Sequence, residues 1–143
     1  MDMAALADTP GWVVAIVDSS AVRTAARVLL TSAYWVSGLT KLLNFKGALA
    51  EETSFHLRPP ALFAGITIFV QLVGSALVIA DYMLWLGAGM LAVFTLAAMI
   101  VAYPFWRVAP AQRMMTFTSF CEHLGLIASF MLATLVSTLP IGR

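Results

Sequence analysis

The chain is 143 residues long, 62% hydrophobic and only 10% charged, with a formal net charge of +1 and a mean hydropathy of +0.94. An average soluble domain carries about 25% charge and about 45–50% apolar residues, and at this length it buries only about 70% of its unfolded surface. The composition therefore speaks against a soluble enzyme, eight scattered Lys and Arg against a nucleic-acid surface, and the single cysteine, Cys121, rules out an intrachain disulfide, a CxxC pair or a cysteine-built zinc site.

What remains is an all-α protein of the lipid bilayer, and its elements follow in chain order. Residues 1–20 contain Asp2, Asp8 and Asp18 and no Lys or Arg, which is not the pattern of a secretory signal. The run from Gly11 to Val17 is too short to span. An interfacial N-terminal segment is expected, with Trp12 at headgroup depth. Next, only Val28 to Thr40 separate Arg27 from Lys41, too few to cross a core of about 30 Å at about 1.5 Å per residue. The first predicted span is therefore 21–43, with Arg23, Arg27 and Lys41 snorkelling to the interfaces.

A charged connection from Asn44 to Pro60 follows, where Phe45, Leu49 and Phe55 suggest a short amphipathic turn on the membrane surface. The second predicted span, 61–80, opens after Pro59-Pro60 and closes at Asp81; the third is 83–103. Almost no loop separates them, so they form an antiparallel hairpin. Pro104 should end the third span, and Tyr103, Phe105 and Trp106 beside Arg107 have the composition of a membrane interface. The fourth predicted span is 118–139. The expectation is a multi-pass four-transmembrane-helix domain over residues 21–143, an integral membrane four-helix bundle. Lys41, Lys46, Arg58, Arg107 and Arg113 lie on the side of the two longer connections, against Arg23, Arg27 and Arg143 on the other. The positive-inside rule then leans toward cytoplasmic long connections.

Apolar side chains gain little by leaving lipid for one another, so small residues that let helices approach are expected to mark contacts. In the fourth span Gly125, Ser129, Ala133 and Ser137 recur every four residues, and that stripe is expected to face a neighbour. The third span offers Gly87, Ala88, Gly89 and Ala92 less sharply.

Polar residues inside the spans are the candidates for chemistry. Arg27, Thr31, Tyr34, Gly38 and Lys41 share one helical face. That face either lines a cavity for an anionic or carbonyl-bearing ligand such as a quinone headgroup, or anchors the helix ends while Thr31 and Tyr34 bond between helices. Gln71, with Ser75 one turn on, must face inward because lipid offers an amide no partner. Either interhelical bonding or ligand contact would satisfy it. Glu122-His123 opens the fourth span; the pair could relay protons or meet a quinone carbonyl, or Glu122 could simply complement the helix dipole near an interface.

A haem would have only His56 and His123 as histidine ligands, and His56 sits in a connection, so haem is disfavoured. No metal site is expected, and no HExxH, GxSxG, GxxxxGK or paired-carboxylate motif occurs. The methionines read as packing.

Four segments in order carry a resemblance: the run from Arg27 through Ser37-Gly38 to Lys41, the Pro-preceded helix with Gln71-Leu-Val-Gly74-Ser75, the stretch from Gly87-Ala-Gly89 to Phe94-Thr95, and Phe120 with His123-Leu-Gly-Leu-Ile-Ala. Over residues 23–137 the chain resembles the DoxX family of small bacterial membrane proteins. The resemblance implies four helices in the bacterial cytoplasmic (inner) membrane and association with redox partners, the family being named after a subunit type of thiosulfate:quinone oxidoreductase. The chain departs from it at Gln71, where such proteins often carry Glu, and at His123, where many carry Asn. The resemblance supplies no catalytic residue set.

The leading expectation is an accessory or anchoring subunit of a redox complex, not an enzyme by itself, that binds a partner subunit or a second copy of the chain. The alternative is a quinone-handling oxidoreductase subunit using Arg27, Thr31, Tyr34, Lys41, Gln71, Glu122 and His123. A small-molecule transporter is a weaker third, because no repeat symmetry suggests alternating access.

Overall fold

The computed structural model describes residues 9–138, and these are helical nearly throughout, with no strand among them. The helices are α1 (Gly11–Asp18), α2 (Ser20–Leu30), α3 (Ser32–Leu43), α4 (Phe45–Ser54), α5 (Pro60–Ile79), α6 (Leu84–Ala102) and α7 (Pro110–Thr138). Three of them, α5, α6 and α7, are long and apolar enough to cross a membrane. The chain is an all-helical membrane protein.

The second and third predicted spans match α5 and α6 to within one residue at either end. Pro60 stands at the start of α5, where its missing N–H leaves no intrahelical bond unmade. The helix closes with a pair of reversed bonds, Asp81 N–H to Val78 O at 3.3 Å and Tyr82 N–H to Leu77 O at 3.2 Å. That Schellman geometry needs a left-handed residue, and Asp81 supplies it at φ 56°. The tight corner turns the chain straight into α6. Pro104 bars continuation at the other end, and α6 stops at Ala102.

The other two predicted spans need correction. Residues 21–43 are not one helix: Thr31 interrupts them with φ −92° and ψ 0°, leaving α2 and α3 of 11 and 12 residues. Carbonyls freed at the break are met from within, by the Ser32 hydroxyl donating to Leu29 O at 2.8 Å and by the Trp35 indole donating to Val28 O at 3.3 Å. The fourth predicted span starts too late. Helix α7 begins at Pro110, because nothing between Pro110 and residue 118 breaks a helix once the chain leaves the Pro104 turn; residues 139–143 lie outside the described part. In the N-terminal segment, residues 1–8 also lie outside it, while α1 leaves Trp12 68% exposed.

The backbone neighbours run in the order α3, α5, α6, α7, with α4 laid against α5. Buried positions on α5 are Ala64, Ile68, Gln71, Gly74, Ser75 and Val78, and on α6 Leu84, Gly87, Ala88, Leu91, Thr95 and Met99. Both sets follow the three-and-four spacing of a single helical face. At their crossing a β-carbon on Gly87 would stand 2.8 Å from the Gly74 carbonyl oxygen and 2.8 Å from Leu77 Cβ. Gly38 likewise brings α3 onto Leu72 of α5, 2.8 Å from a β-carbon built there. By contrast, Gly89 has nothing within 4 Å.

Tyr34 ties this row of helices together. Its ring is 5% exposed and makes edge contacts with Phe94 of α6 at 6.4 Å and Phe130 of α7 at 5.5 Å. Val78, Leu84, Ala88, Leu91 and Phe130 complete the core around it. The inward arc of α7 is thus Leu126, Phe130 and Ala133, and the small-residue stripe is only partly turned inward. Gly125 is open, with nothing within 4 Å of a built β-carbon, and Ser129 and Ser137 return their hydroxyls to their own helix. Only Ala133 of the four packs on the core. The reason is rotational: neighbouring residues differ by about 100° around a helix, and the bulk of Leu126 and Phe130 fills the gap to α3 and α6.

The charged connection is more ordered than an amphipathic turn. Asn44 caps α4 by accepting from the Gly47 N–H at 3.1 Å, and Phe45 and Phe55 face outward as expected. The inward side is Ala48 and, unexpectedly, Glu52, which is 6% exposed. Thr67 of α5 donates to Glu52 Oε1 at 3.3 Å. Burial pushes the Glu52 carboxyl above its ordinary value, while the Lys41 charge and the Thr67 hydrogen bond pull it back and Glu51 adds to the rise.

Two outcomes follow for protein melted in detergent. Gly87→Ala should cost on the order of 1–3 kcal/mol by forcing α5 and α6 apart, whereas Gly89→Ala should leave stability unchanged or slightly raised; equal effects would refute the close-approach account. Because the folded state holds the Glu52 proton more tightly than the unfolded chain, stability attributable to it falls as pH rises above the carboxylate's ordinary 4.5. Glu52→Gln should therefore melt higher than the parent at neutral pH, with the difference shrinking on acidification.

Candidate functional site

Between α3, α5, α6 and α7 lies a cavity of about 140 Å³. Its lining is Ala33, Tyr34 and Ser37 from α3, Gln71 from α5, Phe94, Thr95 and Ala98 from α6, and His123 and Leu126 from α7. A larger open depression of about 630 Å³ along α2 is walled by one helix and has only Ser20 and Thr24 as polar groups. It has the character of a lipid-facing furrow. The smaller cavity is the one with convergent polar chemistry from separate helices.

Three of its polar side chains, Thr95, Tyr34 and His123, are positioned by specific bonds. Thr95 Oγ1 donates to the Leu91 carbonyl at 2.6 Å, because a threonine in a helix can satisfy its proton one turn back. Its single proton engaged, Thr95 accepts from the Tyr34 phenol at 2.6 Å. His123 Nδ1 stands 2.7 Å from the Ser119 carbonyl oxygen. A carbonyl can only accept, so Nδ1 carries the proton, and in the neutral imidazole Nε2 keeps its lone pair. The Tyr103 ring lies against the imidazole at 4.7 Å and holds its plane. Gln71 is 5% exposed, yet its Oε1 has no partner, and neither does the Ser75 hydroxyl one turn on. Buried polar atoms are nearly always paired, so interhelical bonding does not account for Gln71.

Of the residues singled out from sequence, the fold brings Tyr34, Gln71 and His123 together and sends the rest elsewhere. Arg27 pairs with Asp81 at 2.9 Å, its side chain 19% exposed and that of Asp81 54%. Lys41 pairs with Glu51 of α4. Arg27 stands in the last turn of α2, just before the break, and Lys41 in the last turn of α3. Thr31 is fully buried but bonds its own helix at the break. Glu122 is exposed and is not part of the cavity wall.

Thr95 and Ser37 enter the wall without having been singled out as site residues. Thr95 is the one hydroxyl in the α6 sequence, a signal available in principle. Glu52 had a signal too: with Ala48 it forms a four-residue spacing inside an otherwise exposed helix. Neither signal names a partner, because the partners are on other helices. Among the described residues, no cluster of three or more His, Cys, Asp or Glu is placed to hold a metal ion.

A sequence model of the DoxX family matches residues 22–104, which run from α2 to the turn after α6. No curated protein matches the chain, and no solved structure does. Because the match extends over more than half of the 143 residues, the chain belongs to the DoxX family.

Proposed function

We propose that this DoxX protein is an accessory subunit of a redox complex in the bacterial cytoplasmic membrane, and that its interhelical cavity receives the headgroup of a quinone-type ligand. The observation that carries the reading is Gln71: an amide oxygen with no partner, on the wall of a cavity inside the spanning helices. Hydrocarbon cannot satisfy such a group, so a ligand head that enters from the bilayer with a donor gains a hydrogen bond to that oxygen that lipid could not supply.

Size agrees with that ligand class. Sites for drug-sized molecules measure about 300–1,000 Å³, whereas about 140 Å³ suits a single substituted ring with its tail left among the helices or in lipid. Tyr34, Phe94 and Leu126 provide apolar and aromatic walls for the ring, while Ser37, Gln71, Thr95 and His123 provide the polar contacts. In this arrangement α2 and α3, residues 20–43, together serve as the fourth spanning element of a bundle, tied to its neighbours by the Arg27–Asp81 and Lys41–Glu51 pairs. The chemistry of electron transfer belongs to a partner subunit.

Protein reconstituted in lipid nanodiscs should bind a decyl-substituted benzoquinone, in its oxidised or its reduced form, saturably. Gln71→Leu, which keeps the volume and removes the amide, should weaken binding about tenfold, the equivalent of about 1.4 kcal/mol and of one hydrogen bond, with the melting temperature held. Absence of saturable binding of either form by the parent protein would overturn the reading.

A further inference from the structure

The hydrogen bonds around the cavity leave an asymmetry between donors and acceptors. Three protons on its wall are already engaged within the protein: Thr95 Oγ1–H on the Leu91 carbonyl, the Tyr34 phenol on Thr95 Oγ1, and Nδ1–H of His123 on the Ser119 carbonyl. What these groups still offer is lone pairs, on Tyr34 Oη and His123 Nε2. Gln71 Oε1 is a third acceptor without a donor. On the donor side there remain the Ser37 hydroxyl and the Gln71 amide NH₂.

A dione has only acceptor oxygens, so it would set its carbonyls against the lone pairs of Tyr34 and His123. The reduced, dihydroxy form of the same ring brings two O–H donors and fits those lone pairs, while its oxygens can still accept from Ser37 or Gln71. We propose that the cavity selects the quinol form of its ligand over the quinone, with His123 Nε2 and Tyr34 Oη as the accepting atoms. This inference rests on the quinone-type reading of the cavity and adds to it the oxidation state that is held. It concerns equilibrium binding, and no electron or proton transfer is part of it.

The arrangement also assigns distinct parts to neighbouring residues. Thr95 and Ser119 are positioning groups: by absorbing the protons of Tyr34 and His123 they determine that the cavity receives lone pairs. Sites built around a hydrogen-bonding partner discriminate strongly against analogues that cannot provide it, since the partner group is otherwise left unpaired.

The test compares the decyl-substituted benzoquinone with its hydroquinone, each titrated anaerobically into nanodisc-embedded protein. The hydroquinone should bind at least about tenfold more tightly. His123→Leu should bring the two affinities together chiefly by weakening the hydroquinone. Tyr34→Phe, which keeps the ring against Phe94 and Phe130, should act in the same direction and guards against a packing effect at His123. Equal affinities, or tighter binding of the benzoquinone, would overturn this inference while leaving the cavity as a quinone-type site. Variants that weaken both ligands equally would overturn it as well. If neither ligand bound, both this inference and the reading beneath it would fall.

Discussion

Hydrocarbon offers no hydrogen bond, and the structure is organised around that constraint. Every hydroxyl that the spans carry must be met from inside the protein, and most turn back on their own helix: Thr40 to Val36, Thr95 to Leu91, Ser129 to Gly125, Thr134 to Phe130. The break at Thr31 obeys the same rule, its loose carbonyls being met by a serine hydroxyl and an indole. Against so complete a pattern, the unpartnered Gln71 Oε1 and Ser75 Oγ stand out as the polar atoms the fold itself does not serve.

The same solvent removes the usual reason for helices to pack, since a leucine is as well solvated by lipid as by another leucine. Shape and directional contacts do the work instead. Gly74 and Gly87 let the α5 and α6 backbones meet, and Gly38 seats α3 on Leu72. Tyr34 then reaches across to α6 and α7 through its ring and its phenol. The cavity is the space this cross-link leaves beside itself, which is why the residue that ties the helices together is also one that lines the cavity.

The DoxX match covers residues 22–104, so it includes the α3, α5 and α6 walls of the cavity and stops short of α7. His123, Leu126 and Phe130 come from beyond it. The matched region therefore includes Tyr34, Gln71 and Thr95, and α7 adds the imidazole of His123 from outside it. Lys41 and Arg27, the charges that made the first predicted span look like a binding face, are drawn off to Glu51 and Asp81, because a cation near a membrane boundary finds a carboxylate there more readily than it enters an apolar interior.

The membrane-spanning character and the limits of α5 and α6 were determined by the sequence alone, since hydropathy adds up residue by residue over about twenty positions, Pro60 starts a helix, and Asp81 and Pro104 end helices by local stereochemistry. The need for Gln71 to face inward was equally local. Tertiary structure alone decided which arc of α7 turns inward, and so put Phe130 in the core and left Gly125 in the open. It also decided that Glu52 is buried, that Tyr34 meets Thr95, and that His123 joins them on one wall. A helix rich in apolar residues on every side has no preferred face against lipid, so its rotation is settled only by the shapes and hydrogen bonds of the helices it meets.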